Sequence, residues 1–510
     1  MKLSLYLGLF LFLFSGRADA INSFDLVDAS NYKVVLIDGK NKDITEILNN
    51  LSSNTLVKIK NGTYTASGVK IENNNVRIVG ESIDGVKIFI SAGKGGLFFR
   101  VGKRGPVTDY NTDNLPKYNG TMSQWDENNF SPSVDKYPRY KNINIENITF
   151  VLSGKNGSGV GSGIDFYRVD DSGFKIKVKW DTLFDFGNAI RIHYCKNMDI
   201  PYVKIDSNKN SLYSMLYYWS YGLKGGEWDI GAAKVLAIDF KHTVNGNLEY
   251  LMARGNGKKG NSALSVGYGS INQFFNRIEV ENGSVNIKSS VEFDLTKKIK
   301  INNLKINNPE NVGLNISRVE GLDINNYFIR AKSPLVLSAI PFYLSSKKNG
   351  DMSSINLNKK YKYFVVQGEE EKYFEKRPLP ILKNSKFGEG LIILTRGAAN
   401  AILSNVAGGF SDFINKDGDL ITFSDKDIKK SGYKENYRTS YSFKNSLPYA
   451  VENVDFGRMV VKKDPNVKIK YFVYLSTPVV NSGGVIKVYG NENKINMQRS
   501  YNSSFNITEK

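Results

Sequence analysis

Short alternations of Ile, Val and Leu that end in Asn or Gly and then begin again recur along this chain at a loose spacing of about 20 to 23 residues. One passage reads IEVENGSVNIKSS from Ile278, IKINNLKINNPENVGLNIS from Ile299 and LDINNYFIRAKSPLVLSA from Leu322, so the starts lie 21 and 23 residues apart. A unit this short cannot bury an apolar face by itself, but it can when stacked on its neighbours, and the pattern predicts a solenoid. Such a fold offers a long ladder of side chains on which an extended polymer can lie.

Ahead of the repeats stands an address. Lys2, the apolar run Leu3 to Phe14 and the small-residue site Ala18-Asp19-Ala20 have the form of a secretory signal peptide over residues 1–20. The run falls short of the roughly 20 apolar residues of a membrane span. A mature chain from Ile21, secreted or periplasmic and without a stable membrane anchor, is therefore expected. The single cysteine, Cys195, rules out an intramolecular disulfide, so the core alone must hold the chain together. The formal charge of +19 draws polyanions in solution. Export argues against nucleic acid, and the basic residues cluster no more densely than pairs such as Lys258-Lys259 and Lys297-Lys298, which leaves an acidic polysaccharide as the favoured partner. An AT-rich gene, favouring Lys, Asn and Ile, would give the same excess.

Near the start, Asp43-Ile44-Thr45-Glu46 has a capping-box pattern, with Ile44, Ile47, Leu48 and Leu51 at helical spacing, and predicts a short helix capping one end of the core. The pattern then changes to period two: Leu56-Val57-Lys58-Ile59, Thr63-Tyr64-Thr65, Gly68-Val69-Lys70-Ile71 and Val76-Arg77-Ile78-Val79-Gly80, joined by Asn- and Gly-containing turns. This stretch, NTLVKIKNGTYTASGVKIENNNVRIVGES, resembles the first coil of the right-handed parallel β-helix proteins of the pectate-lyase-like superfamily. The resemblance extends more loosely through NINIENITF from Asn142 and NAIRIHYCKNMDI from Asn188 to about Ala339. It implies an all-β, right-handed parallel β-helix with an N-terminal capping helix. Superfamily members include polysaccharide lyases, hydrolases and epimerases, tailspikes and exopolysaccharide-cluster proteins, and fold alone does not choose among them.

Two regions break the rhythm. Residues 103–140, with Gly105-Pro106, Trp125 and Pro132, read as a long excursion from the solenoid, and the pattern fails again from Pro341 to about Pro380. The expected organisation is a signal peptide over 1–20, a β-helix over 21–340, and further coils or a small β domain over 341–510.

Chemistry-bearing residues concentrate between Gly163 and Arg277. Both histidines (His193, His242), Cys195, three of the four tryptophans (Trp180, Trp219, Trp228) and the tyrosines Tyr213, Tyr217, Tyr218 and Tyr221 fall there. Aromatic faces stack on sugar rings, so Trp180, Tyr217, Tyr218, Trp219, Tyr221 and Trp228, with Arg254, are candidate substrate-binding residues. The competing reading places Trp228 or Tyr218 inside the solenoid. In Ile190-Arg191-Ile192-His193-Tyr194-Cys195, strand alternation with the isoleucines inward turns Arg191, His193 and Cys195 outward together. His193 and His242, 49 residues apart, would lie about 10 Å apart on one sheet if both faced outward two coils apart.

β-Elimination on a uronate polymer needs a cation to neutralise the carboxylate and a base for the α-proton. Arg191, Lys241, Arg254, Lys258 and Arg277 are candidates for the first, and His193, His242, a lysine or a tyrosine for the second. Hydrolysis needs two carboxylates about 5 to 9 Å apart, and Glu227 with Asp229, or Asp181 with Asp185, supply pairs. Only Asp170-Asp171 suggests a cation site, too little for calcium's six to eight oxygens, so neither metal nor cofactor is expected. The motif series of polygalacturonase-like hydrolases is absent. The sequence thus favours cleavage or modification of an acidic exopolysaccharide by β-elimination, with an endo-glycosidase or a non-catalytic polysaccharide-binding or assembly protein as alternatives.

Overall fold

In the computed structural model, the described residues are 28–39, 42–91, 97–103, 138–154, 161–256, 262–267, 270–282, 290–338, 354–358, 361–364, 381–395, 401–405, 451–465, 467, 473–475, 479–489, 495–497, 500–501 and 503–509. The expected leader over 1–20, residues 104–137 of the expected excursion, and most of 341–380 lie outside them.

The chain winds as a parallel β-helix solenoid in which each strand pairs in parallel with its equivalent one coil later. Ile190 is in register with Met215, Met215 with Ile238, Ile238 with Leu264 and Leu264 with Val291, giving coils of 25, 23, 26 and 27 residues. Two inward columns build the core along this sheet. One is Ile164, Ile190, Met215, Ile238, Leu264 and Val291, and the other is Phe166, Ile192, Tyr217, Phe240, Val266 and Phe293, all fully buried or nearly so. Strand alternation makes these columns, because inward residues repeat every second position and recur once per coil.

The repeat legible in the sequence is partly misregistered. Ile278 pairs with Leu304 and Ile299 pairs with Gln273, so the coil here is 26 residues, and Ile278 and Ile299 are not equivalent. The strand Ile271–Glu281 and the stretch after Lys297 each carry several inward Ile, Val or Leu residues, and matching isoleucines alone cannot tell one rung from the next. The second interval is correct: Asn325 Nδ2 donates to Asn302 Oδ1 at 2.9 Å across 23 residues.

Asparagine turns the corners. Asn54, Asn75 and Asn142 have φ of 57°, 56° and 55°, the left-handed region that Asn tolerates better than most residues. Their side chains form a ladder, with Asn75 Nδ2 donating to Asn54 Oδ1 at 2.9 Å and Asn142 Nδ2 to Asn75 Oδ1 at 2.8 Å. The same device returns at Asn384, Asn453 and Asn481, bonded at 3.1 and 3.2 Å. Each amide thus relieves the backbone cost of a sharp turn and ties one coil to the next.

The N-terminal helix is one turn, Thr45–Asn49. Ile44, Leu48 and Leu51 enter the core as their spacing requires. The capping box does not form: Asp43 Oδ1 accepts from Thr45 N at 2.9 Å, and no side chain caps the helix itself. At the other end, the segment Val319 to Ala331 pairs in parallel with Leu382–Leu394, which pairs with Val451–Lys463; from there the stacking passes to Gly483–Val488 and Ser504–Glu509. The strands Ser354–Asn358 and Tyr361–Phe364 form a separate antiparallel pair. Among the described residues, no helix is long and apolar enough to cross a membrane.

Candidate functional site

The strands Ser162–Tyr167, Phe186–His193, Ser211–Tyr218 and Leu236–Lys241 lie side by side on one sheet. Their outward positions form two columns, Asp165, Arg191, Leu216 and Asp239 beside Tyr167, His193, Tyr218 and Lys241. The cause is again alternation: Ile164-Asp165-Phe166-Tyr167, Ile190-Arg191-Ile192-His193 and Ile238-Asp239-Phe240-Lys241 each place apolar residues inward and polar ones outward.

These polar residues form one continuous network. Arg191 is paired twice with Asp165, Nε to Oδ1 and Nη2 to Oδ2, both at 2.9 Å, and its guanidinium lies 5.3 Å from the Tyr167 ring centre. The Tyr167 hydroxyl is 3.2 Å from His193 Nδ1, and the His193 ring stacks on Tyr218 with centroids 5.2 Å apart and planes 19° from parallel. Tyr218 donates its phenolic proton to Asp239 Oδ2 at 2.5 Å, and Lys241 Nζ reaches the same oxygen at 3.1 Å while lying 5.4 Å from the Tyr218 ring centre. Asp165 and Asp239 have no exposed surface, whereas Tyr218 and Lys241 are half-buried. The reachable end of the network is therefore Tyr218 with Lys241.

Several sequence expectations change in this frame. Arg191 and His193 do share the outward face, but Arg191 is already neutralised by a buried carboxylate and His193 is 5% exposed, so neither is a free surface group. Cys195 does not join them: Tyr194 takes a φ of 57°, the alternation breaks there, and Cys195 is fully buried in the core with its thiol pushed up by burial to about 12. Nor is His242 the equivalent of His193 two coils on; that place is taken by Lys241. His242 stands at the corner with φ of 51°, stacked on Trp219 with ring centres 3.4 Å apart. Burial, and then the charge of Lys241, hold the His242 imidazole well below its usual value.

Tyr217 and Trp228, expected on a sugar-binding surface, are core residues at 1% and 0% exposure. Tyr217 has the inward parity of its strand, and burial raises its phenol well above the ordinary value. Trp228 stands in register between Val203 and Leu251 and donates from Nε1 to the Ile200 carbonyl at 2.9 Å. Gly225 makes room for it, since a Cβ there would come within 3.2 Å of the indole and 2.4 Å of Leu248. Trp180 packs edge-on against Phe184 and Phe186 and donates to the Asp206 carbonyl at 3.0 Å, away from the network. Tyr221 sits at the asparagine corner and accepts from Asn245 Nδ2 at 2.7 Å.

Glu227 and Asp229 point outward from a different strand, Tyr221–Ile230, with Glu227 exposed and Asp229 partly covered. Asp229 is paired with Arg254 and lies 3.3 Å from Lys204 Nζ, so this pair is a set of surface ion contacts rather than part of the network. Asp170 and Asp171 are likewise engaged, by Arg139 and Asn197. Among the described residues, no three His, Cys, Asp or Glu side chains converge as metal ligands would.

Sequence reading missed Asp165, Tyr167 and Asp239. The signal was present in the repeated Ile-Asp-Phe of residues 164–166 and 238–240, which marks equivalent positions three coils apart.

The molecule is thus a parallel β-helix with a buried acid, base and aromatic network on one outer sheet face. No protein-family profile matches the chain, and no curated protein matches it either. Solved structures similar to it include a Geobacillus virus E2 ORF18 protein, at 11% identity over 96% of this chain and 62% of that one, with a TM-score of 0.26. This chain therefore spans less than two thirds of that protein's length. A PL6 family alginate lyase, AlyGC, is similar at 10% identity over 93% of this chain and 76% of that one, with a TM-score of 0.21. The A-module of the mannuronan C-5 epimerase AlgE4 of Azotobacter vinelandii is similar at 9% identity over 89% and 88%, with a TM-score of 0.22. Likenesses this distant say nothing about chemistry, and the strand register itself establishes the fold.

Proposed function

We propose that this protein is an exported enzyme that cleaves an acidic polysaccharide by β-elimination at the network centred on Tyr218. The observation that carries the reading is the shared hydrogen bonding of Asp239 Oδ2, which receives both the Tyr218 hydroxyl at 2.5 Å and Lys241 Nζ at 3.1 Å. Lys241 is the cation closest to the reachable end, suited to neutralise a uronate carboxylate and acidify the carbon beside it. Tyr218 takes the α-proton as its own phenolic proton passes to Asp239. The electron pair left behind forms a carbon–carbon double bond, and the glycosidic carbon–oxygen bond on the far side breaks. The departing oxygen recovers a proton, and the enzyme returns to its starting state. His193 holds the Tyr218 ring flat from beneath, and the Asp165–Arg191 pair fixes Tyr167, which holds His193.

The test is incubation of the protein with a panel of acidic bacterial polysaccharides, with far-ultraviolet absorbance and reducing ends read together. Absorbance rising in step with reducing ends supports elimination, because only that reaction leaves an unsaturated uronyl product. Reducing ends without absorbance would move the chemistry to paired carboxylates such as Glu227 and Asp229, and silence in both would leave a binding or assembly role.

A further inference from the structure

A second feature lies on a different face of the solenoid. The strands that follow the asparagine corners carry an open groove of 740 Å³, lined along its length by Arg277, Lys305, Arg458 and Lys487, with Asn303 and Asn326 between them. We infer that this groove is a non-catalytic binding site for an acidic glycan chain, which holds polymer on a different sheet from the one that carries the Tyr218 network.

The register fixes the groove's length. In one column Arg277 pairs with Asn303 and Glu389 pairs with both Asn326 and Arg458; in the next, Glu279 pairs with Lys305, Phe328 with Leu391, Leu391 with Val460 and Val460 with Lys487. Asn326 ties its coil to the one before it in the first column, donating to the Asn302 carbonyl at 3.4 Å and approaching Asn303 Oδ1 at 3.5 Å. Arg277 and Arg458 are thus four rungs apart, as are Lys305 and Lys487, a span of about 19 Å at the usual strand spacing. A small anion does not need two cationic ends that far apart, whereas an extended polyanion does.

The groove's middle is suited to sugar rather than to phosphate or peptide. Phe328, Leu391 and Val460 form an apolar strip for ring faces, flanked by carboxamides that can meet hydroxyls. Four cations face two carboxylates, Glu279 and Glu389. Burial works to raise the Glu279 carboxyl, but hydrogen bonds from Lys305, at 3.0 Å, and Arg277 outweigh it and keep the group ionised below the usual range. The other end is open: Arg458 and Glu389 are 3.9 Å apart with three quarters of each side chain exposed, a contact worth little in water. Arg458 and Lys487 are consequently the cations least committed to the protein's own carboxylates, while Arg277 and Lys305, paired with Glu279 yet more than half exposed, mark the far end of the groove.

This inference rests on the acidic-glycan reading of the protein but not on catalysis. The experiment is affinity electrophoresis of the protein through gels holding polygalacturonate, alginate or, as a neutral control, dextran. Retardation by an acidic polymer and not by dextran is expected. The doubly substituted Arg458→Ala, Lys487→Ala protein should bind about tenfold more weakly, and Glu389→Gln should bind more tightly, since it removes a negative charge from the same surface. Turnover of short acidic oligosaccharides should be unchanged in both variants. Equal retardation by dextran, no retardation by either acidic polymer, or unaltered retardation of the double variant with its melting temperature intact would overturn the inference. A protein that binds as described but turns nothing over would overturn the catalytic reading alone.

Discussion

Tyr218 and Asp239 meet across one rung of the solenoid through a 2.5 Å hydrogen bond to a carboxylate with no exposed surface. The pairing is built by register: Tyr218 stands beside Lys241 in its column, and Asp239, two residues earlier on the same strand as Lys241, comes within reach of the phenol. Asp239→Asn keeps the shape but removes the charge that receives the phenolic proton. Turnover should fall by roughly a hundredfold or more with little change in KM, as expected when a proton-transfer group loses its partner. Steady-state kinetics on the polymer that proves to be the substrate will measure the split.

The Asp165–Arg191 pair is structural before it is chemical. With Asp165 fully buried and the Arg191 side chain 12% exposed, Asp165→Ala strands a guanidinium in a poorly solvated site. The expected cost is about 3–5 kcal/mol, to be read from urea denaturation, and removing both partners together should cost less than removing Asp165 alone.

Cys195 should be inert in the folded protein. Burial pushes its thiol up to about 12, so at neutral pH there is almost no thiolate and no path for a reagent. A thiol-reactive dye should label the native chain negligibly and the urea-unfolded chain stoichiometrically.

His242 gives stability a pH dependence of definite sign. Its imidazole is held well below the ordinary value of 6.5 by burial and by Lys241, so below that pH the unfolded chain binds a proton that the folded chain refuses. Stability contributed by this residue is complete above about 6.5 and declines as the pH falls further, by at most about 1.4 kcal/mol per pH unit. His242→Phe, which keeps a ring against Trp219, should flatten the acid side of a melting-temperature profile measured between pH 7 and pH 5.

Much of this fold is legible in the sequence because a solenoid writes its geometry locally. Period-two alternation in Ile190-Arg191-Ile192-His193 gives the face of each residue, and asparagines such as Asn75 mark the corners. Register is less legible. Ile278 and Ile299 look equivalent and are not, because each long strand holds several inward aliphatic residues and pairing is set by the whole coil. Aromatic residues mislead for a related reason: Trp228 reads as a sugar platform, yet it fills volume released by Gly225 and sits between Val203 and Leu251. The network is hidden for a third reason, as Asp165 and Asp239 gain their meaning only from neighbours one coil away, Arg191 and Tyr218.

The central claim is that Tyr218 moves the proton in an elimination reaction, and it is tested most directly by following far-ultraviolet absorbance of an acidic polymer with the wild-type protein and with Tyr218→Phe. Phenylalanine keeps the ring on which His193 stacks and removes only the hydroxyl. Absorbance should rise with the wild-type protein and about a hundredfold more slowly with Tyr218→Phe, at an unchanged melting temperature. A variant that raises absorbance at the wild-type rate, or a wild-type protein that releases reducing ends without any absorbance, contradicts the claim.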